Sequence, residues 1–371
     1  MSALSSPAGA ARLHALERAL VRHADDLAFF LVYDRPERER ERPGLWRTYF
    51  AQRCVSDEHL DVTIDAFRSV GAYVELFTGE RAWIGALAEG RLQRLPQRMK
   101  AAFNGIGWGV GVEGFMPGRK ALVPLIADAY GITCVNSDAH ACAVTVHKFH
   151  SSLVINGLGI RAPSTWHYRP PHGWVGSAPP HGTRVIVKST YEAWSVGVTH
   201  DSVFAVDDTL DARVGAVAES IGQAVTVQEF ISGREVYVPV WSCPERIVTP
   251  PMEAVTARAP HDPDAVVTIE DGIGGGGVRF RPFDGPADLI ERLGRTAISV
   301  LDVFDLYGVA RIDFRIDDQD RLWVFDIAID PGVAIENSAF QSLAEFGFDH
   351  PTFLRTVVAA TLSAKGLLHA C

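Results

Sequence analysis

Hydrophobic residues in the first third of the chain come in short runs between amphipathic stretches. Residues 26–33 (DLAFFLVY) predict a buried strand, while residues 57–70 place apolar side chains at helical spacing. A further strand is expected at 73–77 and a helix over 119–130. This alternation of strands and helices with glycine-rich turns predicts a parallel α/β domain over about residues 25–137.

The rest of the chain carries more strands and longer connections. The apolar and β-branched runs at 184–188, 225–230 and 235–241 predict strands. Two last strands, 309–316 and 322–327, flank an acidic turn (DDQDR) and predict an antiparallel hairpin. We therefore expect an α+β second half rather than a continued doubly wound sheet.

The composition is that of an ordinary globular protein of about two or three domains: 371 residues, 47% hydrophobic and 22% charged. The net charge of −10 argues against a nucleic-acid partner, whose binding depends on neutralised phosphates. The chain has no apolar run of about 18 residues and no cationic leader, so neither a membrane span nor a signal peptide is expected. Five scattered cysteines without a CxxC pair indicate reduced thiols and a cytoplasmic location.

Lysine is rare in this chain, since five of its 35 lysine and arginine residues are lysines. Lys188 ends an apolar strand and is followed by a small, polar loop, a place from which an ammonium group reaches a phosphate. The alternative is a lysine that only extends from a strand end to solvent. Lys148 lies in a helix predicted over about 138–158, and its neighbours do not indicate whether it contacts a phosphate.

Charged residues alternate with apolar ones along the hairpin at 310–330. Arg311, Asp313 and Arg315 therefore project to one face of their strand. Asp326 lies among apolar residues on the next strand, and a carboxylate in such surroundings must be paired or coordinate something. Two aspartates that face one space suit a hard cation such as Mg²⁺. A purely structural ladder of arginines and aspartates is the alternative.

Residues 227–236 (VQEFISGREV) predict two strands with a tight connection. Such a connection can offer backbone N–H and C=O groups to an adenine ring, with Glu235 returning toward a ribose; an ordinary hairpin is the alternative. The four glycines at 274–277 are not followed by GK[ST], so they form no Walker loop. The surrounding stretch 252–280 is either a lid or a plain linker.

In this order and spacing, the segments resemble those of the ATP-grasp superfamily and, within it, the D-alanine–D-alanine ligase-like branch of carboxylate–amine ligases. The resemblance covers roughly residues 100–362. The segments that carry it are NSDAHACAVTVHK (136–148), GLGIRAPSTW (157–166), VIVKSTYEAWSVG (185–197), QEFISGREV (228–236), ARIDFRID (310–317), FDIAIDPG (325–332) and FDHPTFLRTVVAATL (348–362). It implies an ATP-grasp fold preceded by a parallel α/β pre-ATP-grasp domain.

The resemblance also implies which residues would hold ATP. These are Lys148, Lys188, Glu192, Gln228, Glu229, Ile231 and Glu235. The two lysines would contact the phosphates, and Glu192 would lie in the loop that closes over them. The glutamine, its neighbouring glutamate and the isoleucine would line the adenine pocket, and Glu235 would bind the ribose.

Further roles in catalysis, metal binding and substrate binding follow from the same resemblance. Arg311 would stabilise the tetrahedral intermediate, and Ser195 would act from the closing loop. The expected metal ligands are Asp313, Asp326 and Asp330. The expected substrate-binding residues are Trp194, Gly332 and Asn337.

Departures from the family pattern change the expected metal site and substrate. Ala328 stands where the family has its last metal ligand, an asparagine, so Asp330 is expected to take over part of that role. Asp326 itself replaces a glutamate. Trp194 stands where D-alanine ligases carry a serine near the substrate, and the N-terminal segment with a substrate-binding glutamate is not visible. We therefore expect a main product other than D-alanyl-D-alanine.

The sequence thus predicts an α/β chain in three parts: an N-terminal domain over 1–137 and two ATP-grasp subdomains over 138–224 and 225–371. The predicted activity is ATP-dependent ligation of a carboxylate to an amine through an acyl phosphate, with ATP and Mg²⁺ or Mn²⁺ as cofactors. Amino-acid or peptide substrates and a homodimer are expected, with no nucleic-acid or membrane partner. A degenerate nucleotide-binding protein, which Ala328 favours, and a phosphotransferase are the alternatives.

Overall fold

The computed structural model describes residues 7–33, 57–105, 118–193, 195–260, 262–268, 271 and 277–369. Within these ranges the strands form three sheets, of which the first is parallel and the other two are antiparallel. No helix in this part of the chain has both the length and the apolar composition that a membrane crossing requires.

The first sheet has the order β2-β1-β3-β4, and its strands are parallel, as the alternating pattern predicts. Its strands are β1 (Leu27–Tyr33), β2 (Tyr73–Thr78), β3 (Met99–Gly105) and β4 (Thr133–Cys134). The helices around it are α1 (Pro7–Arg22), α2 (Asp57–Arg68), α3 (Gly79–Ala88) and α4 (Leu122–Ala129). Every residue of β1 is buried, because helices cover both faces: Phe29 packs in one core and Phe30 in the other.

The single helix expected over 138–158 is two helices, α5 (Ala139–Val146) and α6 (Lys148–Gly157). His147 between them has an extended backbone, and its Nδ1 accepts a hydrogen bond from the N–H of His150. The N–H of Lys148 donates to the carbonyl of Thr190, at 3.2 Å. The break therefore makes Lys148 the first residue of a helix and ties its backbone to Thr190.

The second sheet has the order β6-β5-β9-β7-β8. Its strands are β5 (Thr165–Arg169), β6 (Gly173–Trp174), β7 (Arg184–Ser189), β8 (Val203–Ala205) and β9 (Val225–Glu229). Helix α7 (Leu210–Ile221) covers one face, where Val214 packs with Val187 and Val227. Because side chains alternate along a strand, Lys188 and Gln228 project from the opposite face.

The third sheet has the order β13-β12-β10-β14-β15, with β11 paired to β10. Its strands are β10 (Arg234–Ser242), β11 (Arg246–Val248), β12 (Met252–Thr256), β13 (Val278–Pro282), β14 (Gly308–Ile316) and β15 (Leu322–Ala328). Helix α8 (Ala287–Val303) covers one face, where Leu293 and Val300 pack with Val238 and Ile312. The predicted hairpin at 310–330 is confirmed as β14 and β15.

The C-terminal helices α9 (Ser338–Ala344) and α10 (His350–Ala364) join the third sheet to the first. Phe353 of α10 lies in the same hydrophobic core as Phe29 of β1 and Trp241 of β10. Arg355 Nε of α10 also donates to Glu17 Oε1 of α1 at 2.6 Å, so an ion pair joins the same two parts of the chain. The N-terminal layer therefore packs on the C-terminal part of the chain.

Some elements differ from expectation. Helix α3 was not predicted. Strand β12 lies inside the stretch 252–280 and β13 begins inside it, so that stretch is not a lid or a linker throughout. The expected boundary at 224 would separate β9 from its partners β5 and β7. The division into three parts stays a prediction, and we propose that its second boundary falls after Glu229.

Candidate active site

The third sheet carries a row of charged side chains on the face opposite α8. Arg311 donates two hydrogen bonds to Asp313, from Nε to Oδ1 and from Nη2 to Oδ2, each at 2.7 Å. Asp313 pairs in register with Asp326 on β15, so the two carboxylates share one face. Ala328 pairs with Arg311, and its methyl side chain cannot coordinate a metal ion.

Glu235 and Tyr237 of β10 extend this row. Tyr237 Oη donates to Glu235 Oε1 at 2.5 Å, and Arg315 Nη2 lies 2.9 Å from Glu235 Oε2. The guanidinium of Arg311 lies 4.1 Å from the centre of the Tyr237 ring. Glu235, the expected ribose ligand, is therefore oriented by two protein partners.

The two carboxylates of this row fit a magnesium site that a nucleotide completes. Desolvation raises the pKa of Asp313 to about 7, although the adjacent Arg311 favours the ionised form. In the described residues no group of three or more His, Cys, Asp or Glu side chains is placed to hold a metal ion. Mg²⁺ is commonly bound by one or two carboxylates together with waters and phosphate oxygens, so Asp313 and Asp326 suffice for that arrangement.

Lys188 reaches the same space from the second sheet. Its Nζ donates to Gln228 Oε1 at 2.8 Å and lies 4.7 Å from the centre of the Phe325 ring on β15. Desolvation lowers the pKa of Lys188 to about 8, while the negative charge of Asp326 opposes that shift. The structure thus brings Lys188 and Gln228 to the cleft between the second and third sheets, facing Asp326.

Lys148 lies beside this cleft together with the loop after β7. Its Nζ donates to the backbone carbonyl of Glu192, and its charge contributes to the lowered pKa of Lys188. The carboxylate of Glu192 is buried and accepts a hydrogen bond from Gln223 Nε2 at 3.0 Å. The two lysines expected to contact phosphates are therefore within electrostatic reach of each other.

The residues expected around adenine lie at the connection between β9 and β10. Glu229 ends β9, and Ile231 follows it in a half-buried position. The segment 262–268 lies against this connection, and its Val266 packs on the apolar cluster that contains Phe230. Part of the stretch expected to be a lid or linker therefore forms a wall of the expected adenine pocket.

Asp330 is paired with a residue that the sequence did not single out. Lys120 Nζ donates to both of its carboxylate oxygens, at 2.9 and 2.7 Å. Asp330 lies two residues beyond the end of β15. Since an ammonium group engages both oxygens, the geometry argues against Asp330 as a third ligand beside Asp313 and Asp326.

Three of the remaining expected residues, Ser195, Gly332 and Asn337, lie in loops. Ser195 has a left-handed backbone, with φ 58°, and its carbonyl accepts a hydrogen bond from Val198. Gly332 lies close to Asn337, since a Cβ at that glycine would be 2.6 Å from Asn337 Nδ2. Trp194 lies outside the described residues. The roles of these four residues stay predictions.

Sequence reasoning missed Lys120 and Tyr237. Lys120 is one of the five lysines, so the rarity that drew attention to Lys188 was a usable signal for it as well. Tyr237 gives no signal of its own, because its place opposite Asp313 follows from the pairing of β10 with β14.

Comparisons with known sequences agree with the ATP-grasp resemblance. A family model described as "D-ala D-ala ligase C-terminus" matches residues 180–359. The D-alanine–D-alanine ligase of Pseudomonas fluorescens (strain Pf0-1) is 23% identical over 317 residues, which cover 85% of this chain and 90% of that protein. The D-alanine–D-alanine ligase of Synechococcus sp. (strain JA-3-3Ab) is 22% identical over 253 residues, which cover 67% of this chain and 75% of that protein.

Solved structures show the fold. D-alanine–D-alanine ligase from Bacillus anthracis complexed with ATP has a TM-score of 0.62 at 14% identity and covers 90% of this chain and 97% of its own. VanG D-Ala:D-Ser ligase from Enterococcus faecalis has a TM-score of 0.59 at 15% identity, with coverages of 92% and 98%. The chain has the ATP-grasp fold of these ligases. In sequence it is similar to the D-alanine–D-alanine ligases, and the predicted resemblance is confirmed.

Proposed function

We propose that this chain is an ATP-dependent carboxylate–amine ligase that forms an amide bond through an acyl phosphate. The observation that carries the proposal is the cleft in which Lys188 of the second sheet faces Asp326 of the third, which pairs in register with Asp313. A cation opposite two carboxylates suits a triphosphate held between a lysine and a divalent ion. Relatives named as ligases support this activity over a degenerate nucleotide-binding protein or a phosphotransferase.

The nucleotide would occupy the cleft between the two antiparallel sheets. Lys148 and Lys188 would neutralise its phosphates, because an ammonium group acts on a phosphate as a point charge. Gln228 and Glu229, with Ile231, would line the adenine pocket. The carboxylate of Glu235, oriented by Tyr237 and Arg315, would accept hydrogen bonds from the ribose hydroxyls. The residues that would hold ATP are Lys148, Lys188, Glu192, Gln228, Glu229, Ile231 and Glu235.

Asp313 and Asp326 would hold Mg²⁺ or Mn²⁺, an ion that supplies neutralisation of phosphate charge when it is bound. Arg311 would stabilise the tetrahedral intermediate, in which negative charge develops on the oxygen bonded to the acyl carbon. Its stacking on Tyr237 fixes the guanidinium in place, and preorganised charge of this kind contributes strongly to catalysis.

The proposed reaction has two steps. A carboxylate oxygen of the first substrate attacks the γ-phosphorus, and ADP leaves. The amine of the second substrate then attacks the acyl carbon, phosphate leaves, and the amine nitrogen gives up a proton. The loop with Glu192, Trp194 and Ser195 would exclude water from the acyl phosphate, and Gly332 and Asn337 would contact the second substrate.

Amine-dependent ADP release tests the proposal. The purified chain is incubated with ATP, Mg²⁺ and pooled amino acids, and the products are identified by mass spectrometry. We expect ADP and a new amide in equal amounts, and loss of both in Arg311→Met. ATP binding without turnover would instead indicate a nucleotide-binding protein, and a phosphorylated product without an amide would indicate a phosphotransferase.

We also propose a homodimer, from the family resemblance, and a cytoplasmic location, from the scattered cysteines of the sequence. Cys134, Cys142 and Cys243 are free thiols, all of them buried. Light scattering during size-exclusion chromatography tests the assembly, and a mass of one chain would contradict the dimer.

A further inference from the structure

We infer that Arg315 is a positioning residue that holds the expected ribose ligand, Glu235, and the wall of the expected adenine pocket, the segment 262–268, with one guanidinium group. Recognition of the ribose and of the base would then depend on the same side chain. The inference rests on the proposed nucleotide site and names a residue that determines its specificity for ribonucleotides.

The register of the third sheet brings Arg315 to Glu235. The two residues pair across β14 and β10, and Arg315 Nη2 lies 2.9 Å from Glu235 Oε2. Their side chains are 9% and 10% exposed. A buried ion pair that loses one partner leaves an uncompensated charge, so removal of Arg315 would disturb this carboxylate in particular.

Glu235 keeps the capacity to accept hydrogen bonds from a ligand. A carboxylate accepts about four hydrogen bonds. Tyr237 Oη donates to Oε1, and Arg315 lies at Oε2. About two acceptor positions remain, which matches the two hydroxyl groups of a ribose. The two protein partners therefore orient the carboxylate and leave it open to the sugar.

The same guanidinium group holds the backbone around the expected adenine pocket. Arg315 Nη1 donates to the carbonyl of Gly233 at 2.9 Å and to that of Pro263 at 3.3 Å. Its Nη2 donates to the carbonyl of Ala265 at 2.6 Å. A guanidinium presents its donors in a planar fork, which an ammonium group lacks. Arg315 thus fixes the connection between β9 and β10, the segment 262–268 and Glu235 in one arrangement.

The apolar side of this segment faces the expected adenine pocket. Val266 packs against the apolar cluster that contains Phe230, in the connection between β9 and β10. The guanidinium carbon of Arg315 lies 5.4 Å from the centre of the Phe230 ring. Loss of Arg315 would therefore loosen the wall of the base pocket as well as the ribose ligand.

An exposed ion pair joins the same segment to the second sheet and separates the two functions of Arg315. Arg184 Nη1 lies 2.8 Å from Asp264 Oδ1, and the two side chains are 42% and 38% exposed. Such pairs contribute little to stability. Because Arg184 belongs to β7 and Glu235 to β10, substitution of Arg184 should affect the wall and not the ribose ligand.

Titration calorimetry with ATP and with 2′,3′-dideoxy-ATP, each with Mg²⁺ and without amino acids, tests the inference. The ratio of the two dissociation constants is the ribose preference, which we expect to be at least about tenfold in the wild type. Arg315→Met should reduce this preference to within about threefold and raise the Kd of ATP at least about tenfold. Arg184→Met should raise both dissociation constants by about threefold and leave the preference unchanged.

Arg315→Lys separates positioning from simple packing and serves as the second variant where Arg315→Met does not fold. Lysine keeps a cation beside Glu235 but lacks the planar fork that holds the three carbonyls. Its ribose preference should stay within about threefold of the wild type, while both nucleotides bind more weakly. Rescue of the preference by lysine would not occur if Arg315 acted only by filling space.

A second buried arginine provides the matched control. Arg355 is paired with Glu17, its side chain is 12% exposed, and its Nη1 donates to the carbonyl of Ala66. Arg355→Met should lower stability and leave the ribose preference unchanged. A preference that falls in this control as well would show that it follows general stability, and would overturn the inference.

The outcomes distinguish this inference from the proposed function. An unchanged ribose preference in both Arg315 variants, with ATP still bound, would overturn the inference and leave the ligase proposal intact. The expected changes in preference in a chain that forms no amide would support the inference and contradict the ligase proposal. A wild type that binds no ATP would contradict both.

Discussion

The ammonium group of Lys188 lies 4.7 Å from the centre of the Phe325 ring, a contact that links the second sheet to the third across the cleft between them. We expect Lys188→Met to weaken ATP binding and to lower turnover by about a hundredfold, because contacts to charged groups contribute about 1.5–3 kcal/mol. Titration calorimetry with ATP and the initial rate of ADP release measure the two effects.

Lys365→Met is the matched control for this substitution. Lys365 is exposed and lies 4.0 Å from the centre of the Tyr307 ring, so it is also a lysine over an aromatic ring, but outside the cleft. Its variant should bind ATP like the wild type. Unchanged ATP affinity and turnover in Lys188→Met would contradict the phosphate role of Lys188.

ATP affinity should depend on pH through the same lysine. Desolvation lowers the pKa of Lys188 to about 8, and a phosphate contact requires the protonated form. Below pH 8 the group is already charged and affinity should be flat. Above pH 8 binding must take up a proton, so the Kd should rise by up to about tenfold per pH unit.

Calorimetry at about pH 9 in two buffers of different ionisation enthalpy measures this proton uptake directly. The uptake and the rise in Kd should both disappear in Lys188→Met. A Kd for the wild type that stays constant from about pH 7 to pH 9.5 would show that the lysine titrates outside this range.

Local patterning accounts for most of the fold. The apolar run of β1 and the alternation along β14 and β15 identify these strands. A strand that is buried on both faces has a continuous apolar sequence, and a strand that is buried on one face alternates between apolar and polar residues. The break at His147 leaves no such trace, since it depends on the hydrogen bond between Lys148 and Thr190 of another segment. Strands β12 and β13 were missed because they are short and their pairing is tertiary.

The residues of the candidate site also fall into two groups, those that local sequence patterns predict and those that they do not. Asp313 and Asp326 were found because carboxylates in apolar strands stand out, and strand register places them together. Lys120 and Asp330 are 210 positions apart in sequence, so the ion pair exists only once the N-terminal layer packs on the third sheet. A single sequence carries no information on a contact of that kind.

The Mg²⁺ requirement should separate Asp330 from the two strand aspartates. We expect Asp313→Asn and Asp326→Asn to raise the Mg²⁺ concentration needed for half-maximal ADP release, because each removes a charged oxygen ligand. Asp330→Asn should leave that concentration unchanged and raise the KM of the amine substrate. A raised Mg²⁺ requirement in Asp330→Asn would restore the expectation that Asp330 is a third ligand.

D-Alanine should not be the preferred substrate of this chain. In the family resemblance, Trp194 stands at the position where D-alanine ligases carry a serine, so we expect a substrate other than D-alanine to be preferred. The measurement is ADP release with each amino acid alone and in pairs. If D-alanine alone supports faster release than every other amino acid, the prediction is wrong.

The junction of β4, β14 and α10 depends on Gly308. This residue has φ +64°, and a Cβ there would lie 2.4 Å from Thr361 Oγ1 and 2.6 Å from Asn136 Oδ1. Both atoms are engaged, since Asn136 Oδ1 accepts a hydrogen bond from the N–H of Val309 and Thr361 Oγ1 accepts one from the N–H of Asn136. We expect Gly308→Ala to lose about 1–2 kcal/mol to backbone strain and a further 1–3 kcal/mol to crowding.

Urea unfolding of Gly308→Ala beside Gly366→Ala separates these two contributions. Gly366 has a similar backbone, with φ +71°, but a Cβ there would meet nothing within 4 Å. Gly366→Ala should therefore show the strain alone, about 1–2 kcal/mol. Equal losses of stability in the two variants would show that the contacts of Gly308 with Thr361 and Asn136 relax freely and do not hold this junction.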